Sequence, residues 1–224
     1  MISRSALAAG AAAAVRAGGG VADLRRDAWG HGVLAVAHAV MAAGASGVLV
    51  DSTGVLETLS LEGIDATLDG DGHADIDPTI LYGLPDGDGR VTGRAVMRLH
   101  GRVLSTKRLR AGDAVSYGYT FRAAVDSRVA LVTGGYAQGI LRALGNRAVV
   151  ELDGVARPIV GRVAMDVCVV DLGGADADVG AEVTYFGGAG PAAAELHRWH
   201  EVTGLTVAEL VTVAGLHAER GWEA

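Results

Sequence analysis

Tyr117 sits in the run Val115-Ser116-Tyr117-Gly118. Nineteen residues later Tyr136 sits in Gly135-Tyr136-Ala137-Gln138-Gly139, with Arg142 close behind. A buried tyrosine beside a cation can accept and return a proton once its pKa is lowered, so Tyr117 is a candidate for acid–base chemistry. The plainer reading is an aromatic packed on a strand, which tyrosine favours. Arg142 reads as a hydrogen-bonding support for the Tyr136 loop. Amine chemistry has one candidate, because Lys107 is the only lysine among 19 Lys+Arg. Asp69, Asp71, Asp75 and Asp77 form an acidic cluster. A calcium loop beginning at Asp69 needs glycine and a carboxylate where the chain has Ala74 and Ile80, so a solvated connection fits better. His197 and His200 are three apart on an expected helix but lack a Cys or His partner for a metal, and read as surface histidines. His31, between two glycines, suits a tight turn. Cys168 lies in the apolar run Val167–Val170 and reads as buried and inert. There is no P-loop and no dinucleotide glycine fingerprint.

The elements that must position these residues change character along the chain. Arg4–Ala17 reads as a helix capped by Ser3 or Ser5. Val21–Asp27, Gly47–Asp51, Ile64–Leu68 and Thr79–Leu84 read as strands, with helices at Val33–Ala43, ended by Gly44, and Gly54–Leu61. Such alternation implies parallel pairing with right-handed crossovers. The turn-rich run Pro85-Asp86-Gly87-Asp88-Gly89 is the expected domain boundary. Beyond it, Arg94–Leu104, Ala114–Arg122, Val129–Gly134, Ala148–Leu152, Val155–Ile159, Val163–Leu172 and Val183–Phe186 read as mostly antiparallel strands. Asp153-Gly154 is a two-residue hairpin signal. The tail Ala192–Trp222 reads as helical, capped at Thr206, with Leu205, Leu210 and Val213 as core positions.

Composition narrows the function classes. The 224 residues carry a net charge of −7, which repels phosphate backbones and disfavours nucleic acid. A single cysteine forbids an intrachain disulfide and fits a reducing compartment. The apolar runs fall short of the roughly 20 residues of a membrane span. The alanine-rich N-terminal stretch lacks the core of a secretory signal, so a cytoplasmic protein is expected.

Several motifs converge on one family. Val115–Gly118, Gly135–Gly139, Arg142-Ala143-Leu144, Asn146-Arg147, Pro158-Ile159-Val160-Gly161-Arg162, Met165-Asp166 and Val170-Asp171-Leu172 resemble, in order and spacing, the C-terminal β-domain of alanine racemases. Asp27-Ala28-Trp29-Gly30-His31-Gly32 resembles that family's first barrel strand, and Ile80-Leu81-Tyr82-Gly83 its last. The resemblance implies a pyridoxal phosphate enzyme with an N-terminal (β/α)8 barrel, working as a head-to-tail dimer. It places the catalytic tyrosine at Tyr117 and the substrate entrance at Met165, Asp166 and Tyr136. It also implies departures. The Schiff-base lysine falls on Arg25, whose protonated guanidinium has no free lone pair for an aldehyde. Lys107 lies in a β-domain segment, remote from the expected site. The family's phosphate-contacting tyrosine falls on Ala208, ahead of Glu209. Only about 85 residues stand where a full barrel needs about 200–250, and the middle strands, phosphate loops and substrate-contacting arginine are missing.

The expected architecture is therefore α/β plus β: residues 1–85 a truncated barrel-like domain, residues 86–224 an alanine-racemase-like antiparallel β-domain with a C-terminal helix. Strands in the order 3-2-1-last need a link of about 22 Å, or about seven extended residues, and Asp69–Pro78 supplies ten. Exposed sheet edges imply a homodimer, or two half-barrels closing together. The leading expectation is a pseudoenzyme without bound cofactor, serving as a binding, regulatory or oligomerisation partner in D-alanine metabolism, with an intact racemase as one partner. The alternative is a working pyridoxal-phosphate-dependent amino-acid racemase.

Overall fold

A computed structural model describes residues 1–69 and 72–224; Asp71 of the acidic cluster lies outside them. The chain divides into two compact units, Met1–Met97 with Val211–Ala224, and Arg98–Leu210. The division falls at Met97, not at residue 85. The physical reason is that Pro85–Gly89 is a turn inside the first unit rather than a linker. Asp86 accepts from the amides of Asp88 and Arg90, each at 2.9 Å, and Pro85 bridges back to Val91.

In the first unit, β1 (Ile2–Ser3) leads into α1 (Arg4–Arg16). Ser3 caps α1 by accepting from the Ala6 amide. Leu7, Ala11 and Ala14 fall four and three apart and, with Ala6 beside them, form its buried stripe. A parallel sheet follows, of β2 (Val21–Asp23), β3 (Gly47–Val50) and β4 (Ala66–Leu68). Between them run α2 (Val33–Ala42) and α3 (Thr53–Leu61). β3 is buried on both faces, as its continuous apolar run requires. The outer edge of β2 is sealed by Asp75, whose Oδ1 accepts from the Gly20 and Val21 amides at 2.8 and 2.7 Å.

The expected strand Thr79–Leu84 is instead the short helix α4 (Pro78–Tyr82). Asp77 caps it through Thr79 N, and Pro78 occupies a first-turn position where a missing N–H costs nothing. The sheet thus has three strands among the described residues, not four. The expected strand Val21–Asp27 stops at Asp23 and runs into a left-handed turn, described below.

The second unit is a closed six-stranded antiparallel barrel. Its strands are β5 (Leu99–Leu109), β8 (Ser127–Thr133), β9 (Val149–Leu152), β10 (Val155–Val160), β11 (Val167–Gly173) and β12 (Glu182–Phe186), in ring order β10-β11-β8-β5-β12-β9. A small hairpin of β6 (Ala114–Val115) and β7 (Phe121–Arg122) is inserted after β5. Asp153 and Gly154 both take positive φ and join β9 to β10, as a two-residue hairpin demands. Burial alternates along β11, with Cys168, Val170 and Leu172 inward.

The helical tail is two helices: α5 (Glu195–Thr203) ends at left-handed Gly204, and α6 (Val207–His217) follows from the expected cap at Thr206. The buried positions are Leu210, Val211 and Ala214, so Val213 points outward. The final residues form β13 (Trp222–Glu223), parallel to β1. The chain is thus a truncated (β/α) barrel fragment and an antiparallel β-domain.

Candidate functional site

In the first unit, the cluster forms where the parallel strands end. β2 ends in Asp23, Asp51 directly follows β3, and Asp69 directly follows β4. Arg25, at the position where the resemblance requires a lysine, engages two of these. Its Nε and Nη2 donate to the two carboxylate oxygens of Asp23 at 2.9 and 2.7 Å. Its Nη1 donates to Asp69 Oδ1 at 2.9 Å. Burial raises the Asp23 carboxyl, but hydrogen bonds and charge from Arg25 outweigh it and leave the pKa below its ordinary value. The same contact with Asp23 holds the Arg25 guanidinium more firmly protonated than usual. The Arg26 amide donates to Asp51 Oδ2 at 3.1 Å.

Arg26, Asp27, Ala28 and Trp29 then take φ of 54, 57, 53 and 56°. Left-handed backbone costs L-residues roughly 1–2 kcal/mol each, on the order of 5 kcal/mol for such a turn. Such strain persists only where the surroundings impose it. Asp27 Oδ1 accepts from Val33 N at 2.8 Å and so caps α2. Its Oδ2 pairs with Arg220. Arg220 also donates from Nη2 to the Gly30 carbonyl at 3.0 Å. Gly30, at φ 77°, packs so closely on Gly215 that a Cβ would sit 2.5 Å from its Cα.

His31 serves this turn. Its Nδ1 donates to the Ala28 carbonyl at 3.0 Å, and its ring stacks on Tyr82 at 4.0 Å between centroids. Burial pushes its pKa down to about 4.

In the second unit, three loops carry the other predicted residues and are tied together. Ser116 Oγ donates to the Arg162 carbonyl at 2.7 Å. The Tyr136 and Ala137 amides donate to the carbonyls of Ala164 and Met165 at 3.0 and 2.9 Å. Tyr117, Tyr136, Met165 and Asp166 therefore belong to one connected loop cluster.

Tyr117 is not the strand-packing aromatic expected. It stands in a turn after β6, flanked by Ser116 and Gly118 at φ 68 and 78°, and is 75 % exposed. The Arg162 guanidinium packs against Gly118, where a Cβ would meet its Nη1 at 3.1 Å. Met165 and Tyr136 are also exposed, at 55 and 40 %. Arg142 supports Tyr136 through its ring face, with Cζ 5.7 Å from the centroid. Asp166 Oδ1 accepts from Gln138 Nε2 at 3.2 Å.

The remaining candidates have structural roles. Lys107 is exposed on β5, opposite Val129. Glu209 forms a capping box with Thr206, accepting from its amide at 2.7 Å. Asp77 and Asp75 cap a helix and a strand edge, as described. His200 Nδ1 is 2.7 Å from the Leu205 carbonyl, and His197 faces Glu201 at 3.7 Å. Cys168 is buried, 3.2 Å from the Tyr185 hydroxyl. No group of three or more His, Cys, Asp or Glu among the described residues could hold a metal. No helix among them is long and apolar enough to cross a membrane. Sequence reasoning missed Asp23, Asp27 and Arg220. The signal for Asp23 was available: an aspartate closes each apolar strand run.

The family profile described as "Alanine racemase, C-terminal domain" matches residues 96–222. The chain belongs to the alanine racemase family. An alanine racemase of Mycolicibacterium vanbaalenii is 41 % identical over 121 residues, 53 % of this chain and 31 % of that protein. One of Salinispora arenicola is 38 % identical over 136 residues, 60 % of this chain and 37 % of that protein. The chain thus spans about a third of the length of the curated racemases it matches. The crystal structure of alanine racemase from the D-cycloserine producer Streptomyces lavendulae superposes with a TM-score of 0.83 at 19 % identity, covering 100 % of this chain and 96 % of that one. The Bartonella henselae alanine racemase, solved with covalently bound pyridoxal phosphate, gives 0.78 at 17 % identity, with 99 and 98 % covered. At such identities these two structures speak to the racemase fold alone.

Proposed function

We propose that this chain is a racemase-family pseudoenzyme: it performs no pyridoxal phosphate catalysis of its own and acts in the cytoplasm as a binding, regulatory or oligomerisation partner in the D-alanine metabolism of the cell wall. The observation that carries this reading is Arg25. The position where the resemblance requires a lysine holds a permanently protonated guanidinium with Nε, Nη1 and Nη2 all engaged by Asp23 and Asp69. The sole lysine is exposed on a barrel strand of the other unit. The substrate class comes from the relatives, which are named alanine racemases.

The loop cluster supports a partner role. Tyr117, Met165 and Tyr136 put exposed apolar surface on one set of tied loops, the composition of a contact surface. In this reading the chain forms a homodimer, or pairs with an intact alanine racemase and offers Tyr117 to the partner's site.

The test has three arms. Purified protein is mixed with pyridoxal phosphate, scanned for a visible band, reduced with borohydride and mapped by mass. Interconversion of L- and D-alanine is assayed directly. The protein is then titrated into an intact racemase while rate and assembly mass are followed. The expected results are no stoichiometric adduct, no racemisation, and a changed rate that Tyr117→Phe abolishes. Unaided racemisation establishes the working racemase instead, and unchanged rate and mass remove the partner role.

A further inference from the structure

The arginine at position 25 does more than fail to be a lysine. β2 and β4 are not hydrogen-bonded to each other, because β3 lies between them. Their ends are about two strand spacings apart, roughly 10 Å. Arg25 reaches both: two parallel bonds to Asp23 at the end of β2, and a third to Asp69 just past β4. Only a flat guanidinium with donors fixed on different edges makes a bidentate contact and a third contact at once. The described sheet stops at β4, with no fourth strand to hold that side.

We propose that Arg25 is a clamp joining the ends of β2 and β4 across β3, and that the carboxylates serving it prevent a lysine restored at position 25 from holding pyridoxal phosphate. This rests on the pseudoenzyme reading and adds what the substituted residue now does. An amine placed between Asp23 and Asp69 keeps its proton, because opposite charges favour the charged form. A protonated amine has no lone pair for the aldehyde carbon. The anionic cofactor would also meet Asp23, Asp51 and Asp69, with Arg25 already committed to two of them. The residues present do not fit the group.

The experiment uses the full chain carrying Arg25→Lys, Asp69→Asn, or both. Each protein is incubated with pyridoxal phosphate, reduced with borohydride, and mapped by peptide mass; thermal melting is recorded in parallel. Arg25→Lys is expected to show no stoichiometric adduct at position 25 and to melt roughly 5 °C below wild type, the shift of a lost ion-pair clamp in a chain of this size. Asp69→Asn, on the exposed arm, is expected to lower the melting temperature less, and by a smaller amount again once Arg25 is lysine, whose ammonium still meets both carboxylates but lacks the fixed fork that joins them. A stoichiometric adduct at position 25, or melting losses that add in full, overturns the clamp. An adduct or racemisation in the wild type overturns the pseudoenzyme reading instead, so the two failures are separable.

Discussion

Arg220 Nη2 donates to the Gly30 carbonyl across 3.0 Å, so a residue of the tail holds the left-handed turn that follows β2. The same guanidinium pairs with Asp27, whose other oxygen caps α2. Turn and helix start therefore depend on one side chain 190 residues away.

Replacing Arg220 with methionine keeps the stem and removes the donors. The expected loss is about 2 kcal/mol, the scale of a hydrogen bond to a charged group. Urea unfolding measures it. Hydrogen exchange is expected to quicken at the amides of His31 and Gly32, which donate to Ala28 and Asp27 within the turn. Unchanged exchange there shows that the turn stands without Arg220.

His31 should give the fold an acid limit. Burial holds its pKa near 4, against the Ala28 carbonyl that favours the charged ring. An unfolded histidine titrates near 6.5. Between these values the unfolded chain binds a proton that the folded chain refuses, so stability rises with pH. The His31 contribution is whole above about pH 6.5 and lost as pH falls toward 4, about 3 kcal/mol in all. His31→Gln retains a donor for Ala28 and cannot titrate. Its urea midpoint should fall less than that of the wild type between pH 7 and pH 4.5.

Cys168 should be silent toward disulfide reagents in the native protein. Burial pushes its thiol up to about 11, against the Tyr185 hydrogen bond, so little thiolate exists at neutral pH and no reagent reaches it. Labelling is expected to appear only with urea and to track the unfolding curve. Rapid labelling in buffer alone would place the thiol at an opening in the barrel.

Tyr82 is fully buried, and its hydroxyl has no hydrogen-bond partner among the described residues. A buried unpaired hydroxyl costs about 1–3 kcal/mol. Tyr82→Phe keeps the ring stacked on His31 and removes that cost, so its thermal midpoint should rise. A fall would show that the hydroxyl is bonded through water.

The β-domain was legible because two local signals agree there. Alternation marks the inward face of β11, and Asp153-Gly154 marks a hairpin. The first unit was less legible. Ile80-Leu81-Tyr82 is apolar enough for either helix or strand, and Asp77-Pro78 decides for the helix, a start signal that the strand reading overlooked. The left-handed turn has no local signature, because Arg26–Trp29 contains no glycine and its conformation is imposed by Arg220, Asp51 and Gly215. Tyr117 misled in the opposite direction: strand preference suggested packing, while the positive φ of Ser116 and Gly118 turns the ring into solvent. The described members of the acidic cluster, read from the sequence as a solvated connection, each have a local partner that sequence spacing does not show: Arg25 for Asp69, backbone amides for Asp75 and a helix start for Asp77.

The ring of β5 and β8–β12 also bears on which changes the two units can absorb. A sheet closed on itself has no rim, so removing strands elsewhere leaves every one of its ladders paired. The parallel sheet has no such insulation, since each strand removed from it bares a new flank that something else must cover. Removing a strand is therefore expected to cost more within the ring, where it opens two edges, than at the flank of the parallel sheet, where one edge is exchanged for another.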